Sequence, residues 1–578
     1  MRQRHHFGGV ARKAARTLVL GVSVGALGAC DSLLEVELPH ILTDDAISNI
    51  TSAQIQANSI QALFECGFSA FSWMAMGHED IFESVAGVAG GAHVYRTDPG
   101  TGACDGVQSS SVFFDQMMSA RQMSSTAPAL LGNYGGSSTV PGLYDQLIAG
   151  GWAAQLPGVG ERLAAITSIY MGASLAHFGQ FYCEGALDQG AMITGAQFTA
   201  LAEDWLTNRA LVHITNAGTF AMPNGSTTGT GASPTNAVLA LRAQVRLAAG
   251  NLAGANADAL TVLGSSPAFT FNATRESGAQ RRNKVFDSGT SGSPFSGMLG
   301  INTFWNGAAR APNPATGALW PSTIPFTGYI FLGIQPDGRT LEANNTPVRW
   351  AQEARTPATA TPPEVPVALT GTTAVQDPRV PHIFKSIQGP AKREVPNKYT
   401  AVEQDLPIVT WRELTLIRAR FENEVSNNQG AAIALINAMR PGAAACTPVS
   451  AACVPNISGA LNTALTNGTD DASIVGTTDQ QEMRMVILEE ARREFFGGDG
   501  GRWWQWKIQN TDLMWFPRFE GSTSAGTYQL QGAVRMNWPT DEYERNPNFL
   551  PGGLALRGAG CTAATANLAF DVSERPRN

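Results

Sequence analysis

The chain has 578 residues, of which 43% are hydrophobic and 15% are charged, and its formal net charge is −8. That length is sufficient for a large core or for several smaller ones. No basic patch stands out after the first 30 residues, so nucleic acid is excluded as the expected partner.

Residues 1–29 have the pattern of an export signal. Five basic residues precede the apolar run LVLGVSVGAL at 18–27, and no acidic residue occurs before Asp31. Ten apolar residues are too few for a membrane-spanning helix, which needs about 20. The run ends in LGAC, which resembles a bacterial lipobox and implies a lipid-modified Cys30. The alternative is an ordinary signal peptide with a chance cysteine.

The other six cysteines predict disulfide bonds, because an exported protein folds in an oxidising compartment. Fifteen pairings are possible and the sequence does not choose among them. The two cysteines that flank TPVSAA are the favoured pair because they are close in sequence. None has CxxC spacing, which disfavours a structural zinc site. These six residues are Cys66, Cys104, Cys183, Cys446, Cys453 and Cys561.

Residues 30–50 are expected to be a lipidated tether, and 51–265 an N-terminal helical part. Phe198, Leu201, Ala202, Trp205 and Val212 are predicted to share one helical face. In 233–263, Ser233 suits an N-cap, and a Gly-Asn pair separates two Ala-rich amphipathic stretches. This helix–turn–helix resembles a tetratricopeptide unit, although no strict 34-residue repeat is present.

Residues 266–400 are rich in Gly, Pro, Thr and Asn, and we expect a loop-rich insertion that forms the ligand-binding part. Isolated aromatic residues in this range argue against full disorder. Residues 401–578 return to helical patterns and form the expected C-terminal helical part. The fold class is therefore predicted as mainly α, with long irregular insertions and few short strands.

The stretch LEEARREFFGGDGGRWWQWK at 488–507 combines charges, glycines and three tryptophans. Met483, Ile487, Ala491 and Phe495 recur at helical spacing, which predicts a buried apolar face and places much of the charge on a solvated face. Gly497 and Gly498 are expected to end the helix. The tryptophans that follow are expected to lock two helices together. A catalytic role is disfavoured because much of the charge is placed on the solvated face, and a calcium site is disfavoured because a single GGDGG lacks the ligand spacing of a calcium loop.

The same stretch resembles the signature of the SusD/RagB family of outer-membrane lipoproteins. That signature has a helix ending in E-R-x-x-E-F, a glycine-rich turn and then R-W-x-D-L-x-R; Gln505 replaces the usual Asp. Three further stretches agree in order: LRAQVRLAAGNLAGANADAL (241–260), LTLIRARFENEVSNNQGAAIALINAMRPGA (414–443), which contains I-N-x-x-R, and NWPTDEYERNPNF (537–549). The matching signature residues are Arg492, Arg493, Glu494, Phe495, Gly501, Arg502 and Trp503.

The resemblance implies a tetratricopeptide-like helical scaffold, called SusD-like, and a role in nutrient uptake. Family members are not enzymes. They capture an oligomeric nutrient, usually a glycan and sometimes a peptide, and deliver it to a SusC-like TonB-dependent transporter. The implied location is the outer membrane, with a lipid anchor and the protein facing the cell surface.

Ligand contacts are predicted from aromatic and acidic side chains, since sugar rings stack on aromatic rings. Each aromatic residue could instead be part of the core. The acids at 79–80 could bind ligand or, alternatively, lie at a solvated helix start. We predict no catalytic residue, no metal ligand and no cofactor. The candidate ligand-binding residues are Trp73, Glu79, Asp80, Trp305, Trp320, Tyr329 and Trp350.

Two other functions stay open from the sequence. A surface glycoside hydrolase would need two carboxylates at a defined separation, and the sequence shows no convincing pair. A ligand-free tetratricopeptide-like scaffold would bind only protein, through a concave face.

Overall fold

The computed structural model describes just over half of the chain and divides it into two units, residues 1–52 and 53–578. In the first unit, the described residues include a short 3-10 helix at Ile50–Ser52. The described ranges are 47–79, 82–84, 141–188, 190–222, 233–278, 281–289, 299–301, 333–341, 353–355, 366–368, 375–388, 391–440, 446, 453–457, 479–497, 499–510, 520–522, 528–529, 535–536, 538, 540–549, 551–556 and 559–561.

The second unit is mainly α, as predicted. A π-helix, Trp205–Ala210, follows directly on α5, and a 3-10 helix spans Gly553–Leu556. The α-helices are α1 Ala53–His78, α2 Leu143–Ile148, α3 Trp152–Gln155, α4 Gly160–Phe181, α5 Gly195–Asp204, α6 Leu211–Ala217, α7 Pro234–Ala248, α8 Leu252–Ser265, α9 Lys284–Gly289, α10 Trp411–Glu424, α11 Gln429–Met439, α12 Asp479–Glu494, α13 Arg502–Ile508 and α14 Thr540–Arg545.

The strands within the described ranges are short and pair two by two in antiparallel ladders. The pairs are β1–β5, β2–β3, β4–β12, β6–β9, β7–β8, β10–β11 and β13–β14. The strands are β1 Phe82–Ser84, β2 Glu184–Gly185, β3 Ile193–Thr194, β4 Thr270–Ala273, β5 Leu299–Ile301, β6 Gly333–Ile334, β7 Glu353–Arg355, β8 Pro366–Ala368, β9 Val375–Gln376, β10 His382–Gln388, β11 Ala391–Pro396, β12 Leu406–Thr410, β13 Glu520–Ser522 and β14 Tyr528–Gln529.

Helix α4 lies at the centre of the N-terminal part. Nearly all of its residues are buried, and it packs against α1, α2, α5 and α6. A helix that is apolar on every side has no solvated face, so burial by several neighbours is the arrangement that its sequence favours.

The predicted helix–turn–helix is confirmed as α7 and α8. The Ser233 hydroxyl caps α7 by accepting from the Asn236 N–H at 3.3 Å, and Pro234 occupies the first turn. Gly250 makes the turn with a φ of +77°, which favours glycine. Ala243 and Ala259 are fully buried, and such small side chains allow close approach of helices.

The predicted face is confirmed for Phe198, Ala202 and Trp205, which are buried, and for Leu201, which is partly buried against the core. It is wrong for Val212, which is 48% exposed. The π-helix separates them, and its wider turn shifts the helical phase relative to the α-helical spacing on which the prediction rests.

Strands β4 and β12 join the two helical parts. Their register pairs Thr270 with Thr410 and Ala273 with Leu406. The Trp411 N–H then donates to the Phe269 carbonyl at 2.7 Å as α10 begins. The core continues across this junction from α4 to α12, so both helical parts share one apolar cluster.

Candidate functional site

Helix α12 carries the first half of the signature stretch, and its predicted apolar face is confirmed. Met483, Ile487, Ala491 and Phe495 are at most 2% exposed. The predicted solvated face is wrong, because the charged residues of 489–493 are buried as well. Buried charges need partners, and those partners come from distant parts of the chain.

Glu490 lies between two arginines. Arg440 donates to both of its carboxylate oxygens, through Nε at 3.3 Å to Oε2 and through NH2 to Oε1, and Arg379 donates through NH1 to Oε2. Burial alone would raise the pKa of Glu490, but Arg379 and Arg440 outweigh it and lower that pKa to about 2. Glu490 is therefore ionised throughout the physiological range.

Arg493 connects α12 to the described part of the loop-rich region. Its guanidinium donates to the Gly333 carbonyl at 2.7 Å, the Thr340 carbonyl at 3.2 Å and Asp377 Oδ2 at 3.0 Å. A fourth bond runs from Nε to Glu489 Oε1 at 2.8 Å. Each donor group of this fully buried side chain has a partner, as a satisfied buried ion requires.

Asp377 completes this set of charges. It accepts from Arg379 Nε at 2.9 Å and from the Arg379 backbone N–H at 2.9 Å. Burial disfavours its charged form, but Arg379 and Arg493 hold its pKa well below the ordinary value. We call the set of Asp377, Arg379, Arg440, Glu489, Glu490 and Arg493 the arginine joint.

The turn after α12 is fixed by glycines and by one carboxylate. Gly500 and Gly501 have φ values of +65° and +72°, and a Cβ at Gly500 would lie 2.4 Å from the Phe68 ring. Asp499 accepts from Lys398 Nζ at 2.7 Å and from the Tyr399 hydroxyl at 3.1 Å. The turn therefore packs against α1 and is bound to the chain that follows β11.

Helix α13 carries the tryptophans, and all three are buried. Trp504 stacks near Phe71 and Phe181, with ring centroids 6.0 Å and 4.8 Å away. Arg502 NH2 donates to Gln180 Oε1 at 2.9 Å. This confirms the predicted locking role: Trp504 lies between α1 and α4, Trp506 packs against Phe495 at 5.7 Å between ring centroids, and all three rings are buried in the main core.

Glu79 follows the last residue of α1 and is 1% exposed. Its Oε1 accepts from the Trp504 N–H at 3.3 Å, and its Oε2 has no hydrogen-bond partner. Burial raises the pKa of Glu79 to about 8, an effect that the Trp504 N–H only partly offsets. Because Glu79 is buried at a helix end, the interpretation of a solvated helix start is wrong.

Trp73 lies on α1 and is 7% exposed, with its ring in the main apolar cluster. Trp73 and Glu79 are thus close in the chain and both buried. The other predicted residues lie outside the described residues: Cys30, Asp80, Trp305, Trp320, Tyr329 and Trp350.

Sequence reasoning missed the two charged residues of the turn at 377–379. Asp377-Pro-Arg379 is a turn sequence, and its charges gave no sign of burial. Arg440 was present in the I-N-x-x-R pattern, but its partner lies 50 residues away in a second motif. A search for charges at the ends of both motifs could have suggested this pair.

Two disulfides are formed between described residues. Cys446 pairs with Cys453, as favoured from the sequence, and Cys183 pairs with Cys561. The second bond fixes the C-terminal segment beside the end of α4, where Gly560 N–H also donates to Glu184 Oε2 at 2.9 Å. Cys66 is also disulfide-bonded.

Within the described ranges, no cluster of three or more His, Cys, Asp or Glu side chains is arranged to hold a metal ion. In the same part of the chain, every helix is too short or too polar to cross a membrane.

No family model and no curated protein matches the chain. Solved structures do match. A SusD superfamily protein from Bacteroides vulgatus is 10% identical, with a TM-score of 0.49, and the match covers 87% of this chain and 97% of that one. A SusD/RagB family protein from Bacteroides thetaiotaomicron is 11% identical, with a TM-score of 0.47 and coverages of 87% and 96%.

A third similar structure is a SusD-like carbohydrate-binding protein from Bacteroides vulgatus. It is 12% identical, with a TM-score of 0.44, and the match covers 82% of this chain and 86% of that one.

Proposed function

We propose that this protein is a SusD/RagB-like lipoprotein that captures an oligomeric nutrient and delivers it to a SusC-like TonB-dependent transporter. Lipid on Cys30 anchors it to the outer membrane, and the folded part faces the cell surface. The ligand is a glycan or a peptide, and a glycan is favoured because it is the usual ligand in the family.

One observation carries this proposal: residues from two separate family-like motifs are in direct contact. Arg440 ends the I-N-x-x-R pattern and Glu490 lies in the signature helix, and the two form a fully buried ion pair. Chance matches of short patterns would not be expected to meet in the core. The contact therefore supports treating the motifs as parts of one fold-defining set.

The arginine joint also suits a binding protein. It holds the described segments 333–341 and 375–381 of the loop-rich region against α12. Binding residues commonly lie on loops that a rigid scaffold positions. These buried ionic contacts would fix the segments 333–341 and 375–381. The other residues of the loop-rich region would then be available to bind a ligand.

We further propose that Asp80, Trp305, Trp320, Tyr329 and Trp350 contact this ligand. Aromatic rings would stack on sugar faces or on apolar side chains of a peptide. Trp73 and Glu79 are buried, so a contact of either with the ligand would require a change in the packing of α1.

A pull-down from detergent-solubilised outer membranes tests the proposal. Tagged protein should bring along a β-barrel transporter in near-equal amount, identified by mass spectrometry. A Cys30→Ser variant is the matched control, and it should be lost from the membrane fraction. Absence of a barrel where the lipoprotein is abundant would contradict the uptake role and favour a free-standing scaffold or enzyme.

Ligand capture requires a second readout. The purified complex should bind members of a glycan and peptide panel saturably, without converting them. Turnover of a glycan by the purified protein alone would instead indicate a hydrolase.

A further inference from the structure

Strands β10 and β11 form a hairpin in the loop-rich region, and this hairpin is rich in positive charge. The two strands contain the basic residues Lys385, Lys392 and Arg393 and one acidic residue, Glu394. The chain as a whole is acidic, with a formal net charge of −8. The hairpin is therefore a local concentration of positive charge on an acidic protein.

The register of the hairpin brings two of these basic residues together. Lys385 pairs with Arg393 across the antiparallel ladder. Residues that pair in this way lie on the same face, with Cα atoms about 4.5–5.5 Å apart. Like charges at directly opposite positions destabilise a ladder. We call Lys385 and Arg393 the cation pair, and their pairing lowers the stability of the hairpin taken by itself.

The alternation of the strands decides which residues share a face with the cation pair. Two positions along the ladder, Ile383 pairs with Val395 on that same face. Glu394 belongs to the opposite face, which it shares with Lys392 two residues away. Within the hairpin, the cation pair therefore shares its face with apolar residues, whereas Lys392 shares its face with an acid.

Both ends of the hairpin are fixed by ion pairs. Before β10, Arg379 belongs to the arginine joint, and after β11, Lys398 Nζ donates to Asp499 Oδ1 at 2.7 Å. The Asn397 N–H donates to the Pro381 carbonyl at 2.8 Å and closes the base of the hairpin. The cations at the base are therefore neutralised within the fold, and the ladder starts from fixed ends.

The hairpin is also part of the region that we propose binds the ligand. Strand β11 lies against β5, and β5 pairs with β1, which follows α1 in the chain. Binding residues commonly lie in irregular regions that a rigid scaffold positions. The hairpin meets this requirement, since it places two cations at fixed positions within a loop-rich region.

We propose that the cation pair binds an anionic group of the captured nutrient, which makes that nutrient an acidic oligosaccharide. A carboxylate or sulfate group bound by both residues would neutralise their charges and remove the repulsion across the ladder. Arginine binds such groups through two parallel N–H donors, and lysine adds a compact charge. The inference rests on the proposed capture of a glycan.

Binding of matched acidic and neutral polymers tests this chemistry. The purified protein is titrated with oligogalacturonate and its fully methyl-esterified form, and with dextran sulfate and dextran. At least one acidic polymer should bind saturably and about tenfold more tightly than its neutral counterpart. The net charge of −8 repels polyanions, so such binding would indicate a local site. If neither acidic polymer binds more tightly than its counterpart, the proposal is overturned.

Substitutions on the two faces of the hairpin locate the site. Lys385→Gln combined with Arg393→Gln should weaken binding of the acidic polymer about tenfold or more. Lys392→Gln is the matched change on the other face and should alter the affinity by no more than about twofold. Arg393→Lys keeps the charge and should retain part of the affinity. Equal losses in the double variant and in Lys392→Gln would overturn the assignment to the cation pair.

Thermal unfolding distinguishes a ligand-binding pair from a structural one. Removal of two like charges that face each other should leave the unfolding midpoint of the double variant unchanged or raise it. A lowered midpoint would mean that the fold itself supplies carboxylate partners to these residues. That result would overturn the proposal.

Co-purification of the barrel separates failure of this inference from failure of the proposed function. If the barrel co-purifies but acidic and neutral polymers bind alike, only the acidic class of nutrient is overturned. If charge-selective binding depends on the cation pair but no barrel co-purifies, the site is supported and the uptake role is contradicted. Selective binding of poly-glutamate in place of both polysaccharides would identify an acidic peptide as the ligand and overturn the glycan class.

Discussion

Two buried glutamates of this protein are in opposite charge states. Glu490 of the arginine joint is 0% exposed and Glu79 is 1% exposed. The pKa of Glu490 is lowered to about 2, while that of Glu79 is raised to about 8. Burial by itself disfavours the charged form of both residues, and the opposite directions of the two pKa shifts come from the partners.

The partners differ in kind and number. Glu490 faces the guanidinium groups of Arg379 and Arg440, whereas Glu79 receives one backbone N–H and keeps one oxygen without a partner. The first arrangement stabilises an ion and joins three segments of the chain. The second stabilises a neutral carboxylic acid, which accepts a hydrogen bond from a backbone N–H in the first turn of α13. A buried carboxyl group therefore holds distant segments together only when charged partners from those segments bond both of its oxygens.

The largest effect is expected for Glu490→Gln. Loss of this charge leaves Arg379 and Arg440 buried without their carboxylate, and breaking such a pair costs about 3–5 kcal/mol. Urea unfolding should show a reduced free energy of unfolding at neutral pH. The same change at exposed Glu403 should have no measurable effect, and equal effects at both positions would contradict the comparison.

Arg493→Lys should have a smaller and local effect. Lysine keeps the charge but cannot reach Gly333, Thr340, Asp377 and Glu489 together, and we expect a loss of about 2–3 kcal/mol. Hydrogen exchange should accelerate in 333–341 and 375–381 before it changes in α4. Arg418→Lys, at a half-buried arginine of α10, is the control. If hydrogen exchange accelerated equally throughout the chain, the arginine joint would not specifically stabilise the segments 333–341 and 375–381.

Glu79→Gln should be nearly neutral below pH 4.5, within about 1 kcal/mol, because the carboxyl is protonated there in both the folded and the unfolded chain and an amide can accept the same bond. At pH 7 the variant should be the more stable protein, because folding no longer has to protonate a carboxylate that is ionised in the unfolded chain. Its raised pKa gives stability that is full below pH 4.5 and declines as pH rises towards 8. The variant should therefore have a flatter stability profile over that range. Some slope should remain, because the pKa of Glu413 is raised by burial to about 7.

Glu490 has the opposite pH dependence. Since its pKa is lowered to about 2, its contribution is present above pH 4.5 and declines as pH falls towards 2. The free energy of unfolding should fall less between pH 4.5 and pH 2 in Glu490→Gln than in the unmodified protein. In Glu79→Gln the fall over this range should be unchanged. The proposed charge states would be refuted if Glu79→Gln changed the pH dependence below pH 4.5 and Glu490→Gln changed it above pH 4.5.

The smallest effect is expected at Arg412. It bonds Glu494 at 3.0 Å and 3.1 Å, but its side chain is 30% exposed. Ion pairs in contact with water contribute about 0.2–1 kcal/mol. Arg412→Ala should therefore reduce the free energy of unfolding by at most about 1 kcal/mol in urea. If Arg412→Ala lowered the free energy of unfolding as much as Arg493→Lys, the claim that buried ion pairs contribute more than exposed ones would be contradicted.

Local features were the ones that the sequence could predict. Ser233, Pro234 and Gly250 define α7 and its turn through contacts within a few residues, and Gly497 ends α12 with a φ of +83°. The apolar face of α12 was also predictable, because it depends only on helical spacing.

The charge pattern of the candidate site could not be predicted from local spacing. Glu490 and Arg493 are buried because Gly333, Asp377 and Arg440 come from other parts of the chain to meet them. An argument from helical periodicity treats charged residues as exposed, and it contains no information on partners that lie 50 or more residues away. The burial of Glu79 has the same origin, since its partner is Trp504.

Infrared difference spectroscopy at neutral pH is the most direct test of these two charge states. Subtracting the spectrum of Glu79→Gln from that of the unmodified protein should leave the carbonyl band of a protonated acid. The same subtraction for Glu490→Gln should leave the bands of an ionised carboxylate. Carboxylate bands in both differences would contradict the claim that partners, and not burial, set the charge of these two residues.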